Sequence, residues 1–508
     1  MSFAQITQET LDLAKQALSQ PLAKDATTQG YNTTTGLTGY NLEAPAKSLF
    51  PVLSPFRNSL PRVKAPIGSQ AAHWKAITGI NTTNARATTA FGAPGNLVST
   101  SEADFMAAYK VIGLGDTVQY DAQIQAQGFQ DLRATAGVNL LYALMEQEDI
   151  ILMGGQNYSL GTPSAPTLAV ATSGGSIGAV NVGVAVAART MQGYYDGQST
   201  IASSAATSGV LTGSTNKVTA TVSAVAGAVC YDWYVGTAGG TLYYAGTTTV
   251  NSFVISSVPT QAASASASNL PQLAGPAYMN NGTLTAIANA SQCTVDGSAD
   301  ANSFNGLIAS LTGDYSGGTF VKRGSGASTG SYYQSLNGAG LTGNNGTISE
   351  IDAALQSLWG NSKVSPTKIL MNSVDHVNAS NKIINSGGAY TLFRPDVVGE
   401  RQNVVGGQLV ETYLNKAVNG RPIAMETSPW LPQGTIILLT EKLPFPNNKV
   451  ANVMEVETQL EYQQIEYATS RGTGNTGGPR YDFEVRAQET FKNYFPGGMA
   501  ILSNVGNA

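Results

Sequence analysis

Residues 129–153 read FQDLRATAGVNLLYALMEQEDIILM, helix-compatible throughout, with Leu132, Ala136, Leu140, Ala143 and Leu144 recurring along one side at steps of three and four. Gly154 and Gly155 follow, and glycine reaches the left-handed conformation that closes a helix. A helix of about 25 residues is about 38 Å long at about 1.5 Å per residue. That is longer than the usual globular helix and predicts a spine on which other parts are hung.

Upstream, Ala4 to Ser19 place Thr7, Leu11, Ala14 and Leu18 on one helical face before Pro21. Pro45, Pro51, Pro55 and Pro61 then alternate with Leu49, Phe50, Leu53 and Phe56. Proline favours extended backbone, while the apolar residues need burial. Two placements satisfy both: an arm across a neighbouring surface, or a loop packed on its own domain. Ala72–Thr78 and Phe105–Ile112 read as strands joined by a long stretch rich in Thr, Asn, Gly and Ala. Such a hairpin is marginal alone, so it needs a surface to lie on.

Downstream the composition changes abruptly. Between Pro163 and Gln261 the only charged residues are Arg189, Asp196, Lys217 and Asp232. β-prone runs recur at Thr167–Ala171, Val180–Ala187, Lys217–Val222, Tyr231–Val235, Thr241–Ala245 and Ser252–Ile255, at the spacing of a β-sandwich. Cys230, Trp233 and Tyr234 are the expected anchors of its core, and Gln261–Gln272 is a compositional linker. Further on, Phe304–Leu311 is a short apolar segment. Ser349 is the expected cap and Gly360 the expected stop of a helix burying Ile351, Leu355 and Leu358. Lys368–Asn372 reads as a buried strand, a helix that Ser373 could cap follows, and the final stretch is strand-rich.

The chain has 508 residues, enough for about three domains, of which only 12% are charged and 56 are Gly. A net charge of −5 and the lack of a Lys/Arg cluster argue against phosphate neutralisation. Cys230 and Cys293 offer neither a disulfide framework nor metal-ligand spacing and read as two separate buried thiols. The N-terminal segment does not read as a signal peptide and no long apolar run is present, so a soluble, cytoplasmically made chain is expected.

Chemistry is sparse. His73 and His376 are the only histidines, and Ser373, Asp375 and His376 lie too close on one helix to converge as a triad. Neither a phosphate loop nor a dinucleotide fingerprint is present. Asp296 and Asp300 lack calcium-loop spacing and read as a surface turn. Glu455/Glu457 and Glu461/Glu466 read as a solvated or interface face rather than a hydrolase pair, and Lys75 and Lys110 as solvated charges. No catalytic, cofactor-binding or metal residue is assigned, and no cofactor is expected.

Three passages carry a family resemblance: ISEIDAALQSLWGNSKVSPTKILMNSVDHVNASNKI (348–383), GRPIAMETSPWLPQGTIILLTEK (420–442) and FEVRAQETFKNYFPGGMAILSNV (483–505). With the arm, hairpin and spine helix in that order, the chain resembles the major capsid proteins of tailed bacteriophages, the Hong Kong ninety-seven-type fold. YDWYVGTAGGTLYYAG (231–246) resembles immunoglobulin-like domains of the fibronectin type III kind. The resemblance implies an α+β capsid fold. Its parts would be an N-terminal arm (1–62), an E-loop hairpin (63–118), a P-domain spine helix (119–162), an immunoglobulin-like β-sandwich insertion (163–262), a mainly A-domain part with its linker (263–449) and C-terminal P-domain strands (450–508). It implies a non-enzymatic virion protein, made in a bacterial cytoplasm, that self-assembles as hexamers and pentamers into an icosahedral shell. The implied partners are a portal protein, scaffolding or decoration proteins and double-stranded DNA held without sequence-specific binding, with no membrane. An encapsulin-like nanocompartment shares the fold, and a secreted β-modular adhesin or carbohydrate-binding protein is the alternative of a different class.

Overall fold

The computed structural model describes residues 51–66, 68–81, 87–95, 97–126, 131–259, 275–280, 283–313, 331–386, 409–444, 448–467 and 480–506. The expected helix at Ala4–Ser19, the linker Gln261–Gln272 and Phe129 lie outside the described residues. Helix α1 (Pro55–Ser59) and strands β1 (Arg62–Lys64), β2 (Ala71–Asn81), β3 (Ser99–Ala108) and β4 (Lys110–Gln119) come first. Helices α2 (Tyr120–Ala126) and α3 (Leu132–Gly154) follow. Then come β5 (Thr167–Ala171), β6 (Asn181–Arg189), α4 (Met191–Asp196), β7 (Ala206–Val210), β8 (Lys217–Thr221), β9 (Cys230–Thr237), β10 (Tyr243–Thr248) and β11 (Ser252–Ile255). After β12 (Ala277–Asn280) and β13 (Thr283–Ala286) stand α5 (Leu307–Thr312), β14 (Tyr332–Ser335), β15 (Gly343–Asn344), β16 (Thr347–Ile348) and α6 (Ser349–Ser362). The order closes with β17 (Lys368–Met371), α7 (Ser373–Ser386), β18 (Thr412–Asn415), β19 (Arg421–Thr427), β20 (Ile436–Leu439), β21 (Met454–Tyr467), β22 (Arg480–Asn493) and β23 (Ala500–Ser503). The chain is mixed α+β.

Contacts gather it into two units, one including Gly115–Leu140 and Glu466–Phe483, the other including Leu53–Leu114, Leu141–Ile465 and Glu484–Ala508. In the first, Arg133 pairs with Glu466 and lies 4.7 Å from the Tyr481 ring centroid, while the Tyr120 and Tyr481 rings are 5.9 Å apart.

The spine helix forms nearly where its spacing predicts, but its details differ. Leu140 and Leu144 are buried, Leu132 and Ala136 are half-buried, and Ala143 is exposed. From Glu148 to Met153 the helix is buried on nearly every side. The paired glycines do not end it by a left-handed turn, since neither has a positive φ. They allow close approach instead: a Cβ on Gly154 would stand 2.4 Å from the Met191 Cβ, and one on Gly155 would stand 2.6 Å from the Phe304 carbonyl oxygen.

Strands β6 to β11 with β5 build two facing sheets, β10-β9-β6-β7 and β11-β8-β5. Val182, Val184, Val186 and Ala188 of β6 and Tyr231, Trp233 and Val235 of β9 fill the core between them, with Val218, Ala220 and Ile255 opposite. The intervening residues Ala185, Ala187 and Tyr234 enter a second core on the other face, completed by Leu242, Tyr244, Ile287 and Cys293. Burial on both faces explains why VGVAVAA is a continuous apolar run rather than an alternating one. All six runs read from the sequence are strands, and β7 (ATSGV) is one that its small residues concealed.

A mixed sheet, β14-β23-β20-β17-β19-β18, carries another core. Ile351, Ala354, Leu355 and Leu358 of α6 and Ala379 and Ile383 of α7 pack with Ile369, Ile423, Ile436 and Leu502. The helix ends differ from expectation. The Ser349 side chain caps nothing because the N-cap position is Ile348, and Gly360 lies inside the helix, which closes at Lys363 in the left-handed region (φ 57°). In α7 the Asn372 carboxamide, not Ser373, accepts from the Val374 N–H at 3.0 Å. The last sheet has the order β1-β21-β22-β4. After β22 the chain leaves that sheet, and β23 stands between β14 and β20 in the mixed one.

Candidate functional site: an exposed hairpin and two buried ion clusters

β2 and β3 pair antiparallel from Ala71↔Ala108 to Ile77↔Glu102, slip by one residue, and continue from Gly79↔Ser101 to Asn81↔Ser99. The expected strand at Phe105–Ile112 divides at Tyr109, whose hydroxyl donates to Glu457 Oε1 at 2.6 Å. That bond needs a residue aimed away from the ribbon, so the strand breaks there. At its root the hairpin is pinned: the Trp74 ring stacks on Phe105 at 5.8 Å and meets Tyr494 edge-on at 5.6 Å. Outward it is uncovered. Ile77 and Ile80 are 66% and 60% exposed, and at the tip Phe91 and Leu97 are fully exposed beside exposed Val98. The tip, polar by composition, therefore displays apolar side chains.

The first ion cluster lies at that root. Glu455 and Glu457, expected on a solvated or interface face, are buried within the chain, because β21 is flanked by β1 and β22. Lys492 of β22 compensates them, with Nζ 2.9 Å from Glu455 and 2.7 Å from Glu457. Burial alone would lower the Lys492 pKa, but the hydrogen bonds to Glu457, Tyr494 and Glu455 outweigh it and hold the ammonium above its ordinary value. Tyr494 donates to Glu455 at 2.5 Å. Burial, then the bond to Glu457, pushes Tyr109 up to about 12. Buried and held by these bonds, the two carboxylates and one ammonium tie strands together and present no base to a substrate.

The second cluster surrounds the end of α3. Arg57 Nε lies 2.6 Å from Glu148, Arg62 pairs with Glu148 and lies 3.0 Å from Glu489, and the two guanidiniums stand 5.3 and 5.7 Å from the Tyr462 ring centroid. The Asp149 carboxylate accepts the Arg57 backbone N–H at 2.5 Å. EQED inside an apolar run was the available signal for this cluster. The partners Arg57, Arg62 and Glu489 stand far off in the chain and could not be paired from sequence.

The other candidate residues are scattered. His73 is exposed on β2, whereas His376 is buried on α7 with Nε2 2.8 Å from the Val410 carbonyl oxygen. Asp375 accepts from the Gly434 N–H at 2.7 Å, and burial pushes its carboxyl up to about 6. Ser373, Asp375 and His376 thus do not converge. Asp296 and Asp300 close turns, accepting from Ser298 N–H at 3.0 Å and Asn302 N–H at 2.8 Å. Glu461 is exposed, and Glu466 pairs with Arg133. Lys75 pairs with Glu102 at 2.6 Å, and Lys110 donates to the Ala301 carbonyl at 2.6 Å. Cys230 and Cys293 are free and buried, and burial pushes Cys230 up to about 12. Among the described residues no three His, Cys, Asp or Glu are grouped to hold a metal, and no helix is long and apolar enough to cross a membrane.

No protein-family model and no curated protein matches the sequence. Solved shell proteins match along most of the chain at low identity. The capsid protein of cyanophage A-1(L) is 12% identical, with 92% of this chain and 97% of that chain covered and a TM-score of 0.42. The capsid protein of cyanophage P-SCSP1u is 8% identical, with 94% and 97% covered and a TM-score of 0.38. The SrpI encapsulin of Synechococcus elongatus is 8% identical, with 96% and 97% covered and a TM-score of 0.37.

Proposed function

We propose that this chain is a shell-forming subunit, the major capsid protein of a tailed bacteriophage, and that it acts structurally rather than as an enzyme. The observation that carries the reading is the hairpin β2–β3. It is a two-stranded ribbon whose outer half exposes Ile77, Ile80, Phe91, Leu97 and Val98. Each such side chain stabilises a contact by about 1.5–3 kcal/mol when fully covered, so an uncovered row of them suits a neighbouring subunit. The sequence resemblance supplies the context. The hairpin (63–118) and the arm (1–62) ahead of its docked end at Leu53 reach neighbours, the spine (119–162) and C-terminal strands (450–508) form the P-domain, and residues 263–449 are mainly A-domain. The 163–262 insertion is an immunoglobulin-like sandwich on the outer surface. Repeated heterologous contacts between identical chains close into hexameric and pentameric rings. A portal protein, scaffolding or decoration proteins and unspecifically held double-stranded DNA complete the virion.

Electron microscopy of the purified protein tests this reading. Hollow icosahedral shells or capsomers are expected, and a uniformly monomeric protein under every assembly condition overturns it. The nucleic acid or protein content of shells purified from infected cells then separates a phage capsid from a nanocompartment.

A further inference from the structure

The cluster at the end of α3 has an uneven charge count. Glu148, Asp149 and Glu489 are fully buried carboxylates, set against two guanidiniums, Arg57 and Arg62. With every group ionised, three negative charges face two positive ones, and the surplus is shut away from water. Burial pushes up the carboxyls of both Asp149 and Glu489, and Glu489 Oε1 has no partner among the described residues, but Glu489 pairs with a guanidinium and Asp149 accepts from backbone only. Glu148 meets both arginines and Glu489 meets Arg62. Asp149 faces backbone N–H groups instead, that of Arg57 on Oδ1 with that of Phe56 nearby, and its Oδ2 has no partner among the described residues. The charged and titratable groups around Asp149 are Arg57 from α1, Glu146 and Glu148 on its own helix, and Tyr195 from α4. Arg62, Glu489 and Tyr462 adjoin through the arginines. Burial pushes the Asp149 carboxyl up to about 7 despite the nearby Arg57.

The same contacts hold a strap. Leu53 N–H donates to Glu146 at 3.2 Å, the Leu53 carbonyl accepts from Trp430 Nε1 at 2.7 Å, and Phe56 and Leu60 are buried. Leu53 to Leu60 is therefore fastened to α3 by these bonds, a few apolar contacts and this unbalanced cluster, while Arg62–Lys64 beyond it are held in the ladder to β21.

We propose that Asp149 is a proton-controlled latch on the strap Leu53–Leu60: protonated, it gives a charge-balanced cluster that keeps the strap docked, and deprotonated, it leaves an uncompensated buried carboxylate that lets the strap lift. The docked carboxyl binds its proton more tightly than a free one, so docking is firmest in acid and weakens as pH rises until it levels off above about 7. The inference stands apart from the shell reading, since it is measured on the unassembled chain.

The test is hydrogen exchange of the 53–60 segment in the full chain from pH 5 to pH 8, each rate divided by that of the same peptide free in solution. The corrected opening should rise roughly tenfold per pH unit up to about pH 7 and level off above it, as expected for one proton released on undocking. Asp149→Asn, uncharged at every pH, should flatten that slope. A wild-type slope near zero, or a wild-type slope kept in Asp149→Asn, overturns the latch. Should Asp149→Asn fail to fold, the pH titration of the Asp149 carboxyl carbon in the wild-type chain decides, and a midpoint in the ordinary carboxylate range overturns the latch.

Discussion

The hairpin β2–β3 and the sandwich β5–β11 are both antiparallel and both rich in small and β-branched residues, yet they use their aromatic and aliphatic side chains oppositely. In the sandwich, Trp233 is fully buried, stacked on Phe253 at 5.8 Å with its indole N–H on Thr248 Oγ1 at 2.8 Å. In the hairpin, only the root around Trp74 and Phe105 is covered, and Ile77, Ile80 and Phe91 face solvent. A sheet buried on two faces stabilises its own chain with every apolar residue. A lone ribbon cannot, so its apolar residues are left to stabilise a contact with something else.

That contrast breaks most visibly at the sandwich core. Trp233→Ala should destabilise the chain by about 3–5 kcal/mol, because it removes the largest fully buried side chain and takes the indole donor from the Thr248 hydroxyl. Denaturant unfolding followed by circular dichroism measures the loss. A comparable effect is expected from the fully buried pair Arg189–Asp232, 2.5 Å apart on neighbouring strands. Arg189→Met leaves the Asp232 carboxylate without its cation and should cost about 3–5 kcal/mol, and adding Asp232→Leu in the same chain should restore most of it. If the double variant is no more stable than the single one, the pair does more than balance charge.

A smaller effect is expected where α3 meets α4. Gly154→Ala sets a methyl 2.4 Å from the Met191 Cβ, so the backbone must shift, at a cost of about 1–3 kcal/mol read from the same unfolding midpoint. An unchanged midpoint would mean that α4 yields easily and that the sandwich is only loosely joined to the helix.

The sequence revealed these regions unequally. Periodicity located α3, α6 and the sandwich strands, because apolar spacing follows from which faces are covered. The sequence did not show what a glycine is for: Gly154 and Gly155 read as a stop, but they are contact points, a fact that depends on Met191 and Phe304 arriving from far along the chain. Ser349 and Ser373 read as caps, while Ile348 and Asn372 hold the cap positions one residue earlier. Buried charge was least legible. Glu455 and Glu457 read as a solvated face, since Lys492 reaches them only through the pairing of distant strands, and Glu148 and Asp149 drew no notice among apolar neighbours. The hairpin tip reads as polar in the sequence, because exposure of Phe91 and Leu97 depends on what fails to cover them.

The smallest effect on stability should come with the largest effect on assembly. Ile77→Thr, Ile80→Thr and Phe91→Ser combined replace three exposed side chains on a two-stranded ribbon. Threonine keeps the β-branched shape that suits a strand, and position 91 lies at an exposed turn that accepts serine, so each change should move unfolding by no more than about 0.5 kcal/mol. The trio would remove three of the five exposed apolar side chains from the area that the outer half of the hairpin offers to a neighbour, leaving Leu97 and Val98. If that area joins subunits, the variant should stay folded by circular dichroism yet sediment as monomer or capsomer where the wild type forms shells. A variant that assembles normally would show that the hairpin's exposed row is not the contact between subunits, and a variant that unfolds would show that the ribbon is covered by its own chain.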